Sequence, residues 1–125
     1  MIMVASFPEG FDRRSTIRET WLKEEASFPE LKVLFSFGKS QSQDNDFALR
    51  RDLEEEHDRY CDCVQFDFVD HYMNITLDSL HSMKFALGWK WKVEPEFLII
   101  SDDDSYINLS EVSKFLKSGS VLTKV

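Results

Sequence analysis

Three consecutive carboxylates, Asp102-Asp103-Asp104, follow the apolar run Phe97-Leu98-Ile99-Ile100 with only Ser101 between them. Four large apolar residues in a row read as a strand buried on both faces. The acids then stand at its carboxyl end, where open α/β sheets hold their ligands. On an extended backbone alternate side chains share a face, so Asp102 and Asp104 are expected on one side and Asp103 on the other. Two carboxylates held side by side repel, and a cation between them relieves the repulsion. A hard divalent ion such as Mn²⁺ or Mg²⁺ suits oxygen ligands and also grips a diphosphate, so the pattern points to a metal-bridged nucleotide site. The same acids also read as a solvated loop, or as favourable charge ahead of a short helix over Leu109 to Leu116. The rest of the chain has to decide.

A second cluster is cationic. Asp12 is a candidate cap for a helix with Ile17 and Trp21, four residues apart, on its inner face. Arg13 and Arg14 then fall in the first turn, where cations oppose the helix dipole, and Arg18 lies one turn after Arg14. A cluster set against its local electrostatics fits an anionic ligand. It also fits a solvated face paired to Glu19, Glu24 and Glu25, since exposed pairs of this kind are common and weak.

The elements that must position these groups alternate along the chain. Strands are expected over Ile2 to Phe7, Leu31 to Gly38, Asp62 to Phe68 and from Phe97 onward. Helices are expected after Asp12, around Phe47, Leu49 and Leu53, and after a cap at Asn74 or Thr76. Arg50-Arg51-Asp52 and Glu54-Glu55-Glu56 are assigned to the wet face of the second, and Leu77, Leu80, Met83 and Leu87 to the buried side of the third. Trp89 and Trp91 are read as core, and Lys39 to Asp46 as a polar connection. The alternation predicts a mostly parallel α/β sheet with right-handed crossovers and helices on both faces.

Composition narrows the function. The 125 residues are 42% hydrophobic and 30% charged, enough for one folded domain. A net charge of −8 without a basic stripe excludes broad, phosphate-driven nucleic-acid binding, and a nucleotide ligand would need a metal. No apolar run approaches the roughly 18 residues of a membrane span, and Met1 to Phe7 is too short for a secretory signal. Cys61 and Cys63 would face opposite ways on a strand, and neither has a Cys or His at zinc-ligand spacing, so both read as buried or free thiols. His57, alone among acids, reads as a surface or half-buried residue.

Four motifs in order resemble one family. Arg13-Arg14-Ser15-Thr16-Ile17-Arg18-Glu19-Thr20-Trp21 is similar to the R-x-x-x-I-R-x-T-W opening of the β-1,3-galactosyltransferase and β-1,3-N-acetylglucosaminyltransferase family. Phe35 to Gly38 resembles its F-x-x-G strand end. Glu56, Tyr60, Asp62, Asp67, Phe68, Asp70, Tyr72, Asn74 and Thr76 match its E-x-x-x-Y-x-D … D-F-x-D-x-Y-x-N-x-T pattern. Asp102-Asp103-Asp104-Ser105-Tyr106-Ile107-Asn108 matches its D-D-D-x-(aromatic)-(apolar)-N block, and the apolar residues ahead of it resemble the Brainiac-like branch.

The resemblance implies a GT-A-like, Rossmann-like fold and a UDP-sugar donor, UDP-galactose or UDP-N-acetylglucosamine, bound through Mn²⁺ or Mg²⁺. It implies an inverting β-1,3 transfer to a glycan acceptor on a glycoprotein or glycolipid. Asp104 would ligate the metal directly and Asp102 would support the ribose or the metal shell, with Asp103 beside them at the nucleotide. Arg13 and Arg18 become candidate nucleotide contacts, and Asp70 and Tyr72 fall where the family closes the donor pocket. The family's catalytic base lies in an acidic motif beyond the D-D-D block, hence beyond Val125. The chain as given is therefore expected to be a donor-binding half with little or no transferase activity. In the family the full-length enzyme is a type II membrane protein of the Golgi lumen; the anchor is absent from this chain.

Two departures stand out. Asp78 occupies a position that is usually basic in the family, and Lys92-Val93-Glu94-Pro95 lacks the family's cysteine. Asn74-Ile75-Thr76 and Asn108-Leu109-Ser110 are glycosylation sequons, although each Asn also has a capping role open to it. The competing reading is a non-catalytic nucleotide- or metal-binding module that keeps the fold. A phosphoacceptor switch domain fits worse, because Ser6-Phe7-Pro8 stands where such a domain needs acids.

Overall fold

The computed structural model describes residues 1–42, 45–88 and 95–119. The expectations for Trp89, Trp91 and Lys92 to Glu94 lie outside the described residues. Four strands, β1 (Ile2–Ala5), β2 (Val33–Lys39), β3 (Cys63–Val69) and β4 (Ile99–Asp102), form one parallel sheet in the order β3-β2-β1-β4. Helices α1 (Phe11–Glu19), α2 (Phe47–Tyr60), α3 (Ile75–Gly88) and α4 (Leu109–Lys117) alternate with them, and a 3-10 segment Trp21–Ser27 extends α1.

The strand order follows from handedness. The chain steps from β1 to β2 to β3 in one direction, then crosses back to place β4 on the other side of β1. Right-handed crossovers therefore put α3 on the opposite face from α1 and α2. The two cores agree. Ile2, Val4, Val33 and Phe35 pack with Ile17, Trp21, Leu22 and Leu109 on one face, while Met3 and Leu34 pack with Phe66, Phe85 and Leu98 on the other. This is the period-two alternation of a strand buried on both sides. Ile2, Met3, Val4 and Phe35 are 0% exposed, and each such side chain contributes about 1.5–3 kcal/mol by leaving water.

Several local expectations need correction. The Phe97 to Ile100 run is half-buried, because β4 is flanked by one strand, β1, among the described residues. Asp12 lies inside the first turn of α1, whose N-cap is Gly10. The chain turns early because the Gly10 N–H donates to the Phe7 carbonyl at 2.9 Å. A Cβ at Gly10 would lie 2.8 Å from Ser6 Oγ, so a larger residue there would have to displace the Ser6 hydroxyl.

The face of α3 is also different. Asp78, Ser82 and Ala86 are its buried residues, while Leu77, Leu80, Met83 and Leu87 are exposed. Apolar residues occur all round this helix, so their spacing does not select a face. Small and polar side chains let it approach the sheet closely instead. Ser82 Oγ donates to Ser36 Oγ at 3.4 Å and Ser36 Oγ donates to Asp78 Oδ2 at 3.0 Å.

Candidate functional site

Strands β1 and β4 are neighbours at the point where the strand order reverses, and the crevice at such a point is where open α/β sheets hold ligands. Ala5 pairs with Asp102, so the loop after β1 and the acidic triplet lie side by side. The triplet does not stay extended. Strand β4 ends at Asp102, Asp103 and Asp104 turn, and the Ser105 N–H donates to the Asp102 carbonyl at 3.3 Å. Asp102 and Asp104 are exposed, whereas the Asp103 side chain is only 7% exposed.

Asp103 is held by both oxygens. Ser6 Oγ donates to Oδ2 at 2.9 Å and Arg13 to Oδ1 at 2.7 Å. The Arg13 guanidinium also lies 5.7 Å from the Phe7 ring centroid. Behind this pair is a buried clamp. Arg14, 0% exposed, donates twice to Glu56, at 2.9 and 2.7 Å, and also to Ser6 Oγ and to the carbonyls of Phe7 and Pro8. Its guanidinium lies 4.9 and 4.8 Å from the ring centroids of Phe11 and Phe37. A run of polar contacts thus extends from Glu56 through Arg14 and Ser6 to Asp103, fixing the loop after β1 against the acidic turn.

This clamp corrects two expectations. The partners of Arg14 and Arg18 are Glu56 and Asp62 rather than Glu19, Glu24 and Glu25. Glu56 is buried and is not on the wet face of α2. Ser6, Arg14 and Glu56 were not foreseen as site-forming residues. The sequence signal for Arg14 was its place in the cationic cluster with Arg13 and Arg18, and that for Glu56 its place in the family motif; Ser6 carried none.

Six of the seven predicted site residues line one cleft of about 420 Å³: Arg13, Asp70, Tyr72, Asp102, Asp103 and Asp104. Arg18 does not. It is held by Asp62 at 2.7 and 2.8 Å and by Glu56 at 2.8 Å, with Tyr60 stacked 3.9 Å away, and it lines a separate recess with α2. A larger hollow of about 600 Å³ between α2 and the sheet, lined by Phe37, Arg50, Leu53 and His57, contains none of the predicted residues.

The first cleft is strongly acidic. Asp70, Asp78, Asp102, Asp103 and Asp104 line it against the single guanidinium of Arg13. Burial raises the Asp70 carboxyl above the usual range, opposed by the Gly38 N–H that donates to it at 3.2 Å. Burial raises Asp78 as well, opposed by the Ser36 hydroxyl. Tyr72 is 82% exposed at the rim, in a 3-10 turn, Tyr72–Asn74, capped by His71. Among the described residues no three His, Cys, Asp or Glu side chains converge to hold a metal by themselves. The donor set instead suits an ion that takes one or two carboxylates and completes its shell with phosphate oxygens and water, as Mg²⁺-like ions do.

The two sequons differ in their contacts. Asn108 caps α4, with its Oδ1 accepting from the Glu111 N–H at 3.1 Å, whereas Asn74 Nδ2 donates to the Val69 carbonyl at 2.8 Å. No helix among the described residues is long and apolar enough to cross a membrane.

Comparison with known proteins agrees with the geometry. Residues 12–124 match the galactosyltransferase family model. The chain is 35% identical over 122 residues to the human lactosylceramide 1,3-N-acetyl-beta-D-glucosaminyltransferase, covering 94% of this chain and 32% of that protein. It is 33% identical to the Danio rerio lactosylceramide 1,3-N-acetyl-beta-D-glucosaminyltransferase B, over 94% of the chain and 31% of that protein. It is 31% identical to the Rattus norvegicus UDP-GlcNAc:betaGal beta-1,3-N-acetylglucosaminyltransferase 7, over 93% of the chain and 30% of that protein. The chain therefore spans about a third of the length of these relatives. With the motifs, the α/β sheet and the family match in accord, the chain belongs to the galactosyltransferase family.

Proposed function

We propose that the β1–β4 crevice binds a UDP-sugar with a divalent cation. In this reading residues 1–125 are the donor-binding half of a single catalytic domain. The reaction served is an inverting transfer of galactose or N-acetylglucosamine to a glycan acceptor on a glycoprotein or glycolipid in β-1,3 linkage, in the Golgi lumen. The observation that carries this is the joining of Arg13 to the acidic turn at the switch in strand order, in one cleft with Asp102 and Asp104. Family membership supports sugar transfer, and the names of the relatives support the β-1,3 linkage and N-acetylglucosamine.

Asp104 and Asp102 would hold the Mn²⁺ or Mg²⁺. When bound, such an ion acts as a Lewis acid that neutralises charge on the departing UDP. Asp103 is assigned a seating role, because Ser6 and Arg13 already occupy its oxygens. Arg13, 54% exposed at its side chain, keeps N–H groups for a phosphate oxygen. Tyr72 at the rim is assigned to close over the donor, and Asp70 to hold the end of β2 through Gly38. Arg18 is left out of the donor contacts, since Glu56 and Asp62 hold its guanidinium.

The test is titration of the 125-residue chain with UDP by calorimetry, in Mn²⁺ and in a chelator. UDP is expected to bind more tightly with Mn²⁺, and Asp104→Ala to erase the difference. Superimposable curves with and without metal would remove the donor-site assignment.

A further inference from the structure

Asp78 is the feature of the cleft that the metal-and-phosphate reading leaves unused. It lies on the first turn of α3, lines the cleft with Asp102 and Asp104, and is only 8% exposed. Its Oδ2 accepts from Ser36 Oγ, which in turn accepts from Ser82 Oγ. Both hydroxyl protons of that relay are thus directed toward the carboxylate. Its Oδ1 is buried and has no partner among the described residues, the one side-chain oxygen or nitrogen there in that condition.

A buried acceptor left unpaired costs about 1–3 kcal/mol, so such an atom points to a missing donor. The surrounding charges restrict what that donor is. A carboxylate repels phosphate, and Asp78 shares the cleft with four further carboxylates, Asp70, Asp102, Asp103 and Asp104, so the diphosphate has no reason to lie against it. What remains of a nucleotide-sugar is its hydroxyl-bearing part. Rotation about the terminal side-chain bond of an Asp is soft, so the carboxylate can offer Oδ1 to the cleft while Ser36 retains the other oxygen. We infer that Asp78 is a ligand-contacting residue whose Oδ1 accepts a hydrogen bond from a hydroxyl of the bound nucleotide-sugar. The inference rests on the donor-site reading above and adds to it a contact for the neutral, polyhydroxylic part of the ligand.

The experiment compares wild type, Asp78→Ala and Asp78→Asn in Mn²⁺, each titrated with UDP and with UDP-N-acetylglucosamine, alongside thermal melts without ligand. The Ala variant is expected to bind at least tenfold more weakly and to melt somewhat below wild type, because the buried Ser36 hydroxyl loses its acceptor as the unpaired oxygen is removed. Asn, which restores one acceptor oxygen, is expected to fall between Ala and wild type. Loss with both ligands places the hydroxyl on the ribose; loss with the sugar nucleotide alone places it on the transferred sugar. Wild type that binds while both variants stay within twofold of it overturns the role of Asp78 and leaves the donor site standing. If Ala does not fold, Asn within twofold of wild type has the same force. Wild type that binds neither ligand overturns the donor site and this contact together.

Discussion

Glu56→Gln tests whether the buried clamp behind the acidic turn holds the fold. The substitution keeps volume and one acceptor oxygen but removes the charge that Arg14, 0% exposed, is bound to by two donors. Breaking a buried pair on one side typically costs about 3–5 kcal/mol, because the other charge stays behind in a site of low polarity. Three features moderate this: the amide oxygen still accepts one bond, Arg14 keeps the carbonyls of Phe7 and Pro8, and Arg18 keeps Asp62. A loss near the lower end, about 3 kcal/mol, is expected. With a urea slope of about 1.5 kcal/mol/M, the midpoint should fall by about 2 M, read by far-ultraviolet circular dichroism at pH 7. Glu55→Gln, one position earlier and 73% exposed at its side chain, should move the midpoint by less than about 0.3 M. Arg14→Met combined with Glu56→Leu removes both charges of the pair but leaves the Phe7 and Pro8 carbonyls without that donor, and should recover part of the lost stability. Equal small shifts for Glu55→Gln and Glu56→Gln would refute the reasoning. So would a double variant no more stable than Glu56→Gln alone.

Two further outcomes concern titrating groups away from the cleft. Burial, followed by the charges of Glu56 and Asp62, pushes the Cys63 thiol up to about 12, while Cys61 is exposed. Iodoacetamide at pH 8 should therefore alkylate Cys61 and spare Cys63, and equal labelling in a peptide mass map would contradict this. Glu30 is held down at about 2 by the hydrogen bond from Ser113, then by Lys117 at 2.9 Å. Its folded value lies below the ordinary value of 4.5, so its contribution is complete above that pH and is lost as the pH falls toward 2. Glu30→Gln should flatten the stability profile across that window; an unchanged acid limb in urea melts would count against the pairing.

The order of strands and helices was legible because the apolar runs around Met3, Phe35 and Phe66 are short and bounded by polar segments. The cleft was legible because a motif at a strand end is positioned by the strand, and Arg13, Asp70, Tyr72 and Asp102 to Asp104 all follow strand ends. What could not be read depends on pairs distant in sequence. Glu56 looks like one acid in a run of three until Arg14, 42 residues earlier, is seen beside it. Arg18 is indistinguishable by type from Arg13, yet it lies five residues, about 1.4 turns, further along α1 and so meets Asp62 instead of the cleft. On α3 the largest apolar side chains drew the inner face to Leu80 and Met83. The helix instead rests on Ser82 and Asp78, whose small size and polarity match Ser36 beneath them.

The pairing of β1 with β4 joins stretches of chain almost a hundred residues apart: the amino-terminal nitrogen donates to the Phe97 carbonyl across a separation of 96, and Ser6 to Asp103 across 97. Closing so long a loop costs roughly 4 kcal/mol of chain entropy, by the 3/2 RT ln n scaling. The proposed binding crevice is thus also a seam, and it exists only after nearly all of the chain has come together. A ligand seated across it would act as a clasp, adding about 2.7 kcal/mol against separation of the two strands at a hundredfold excess over Kd. Occupancy would then be felt in how firmly the sheet stays closed, well away from the groups that touch the ligand.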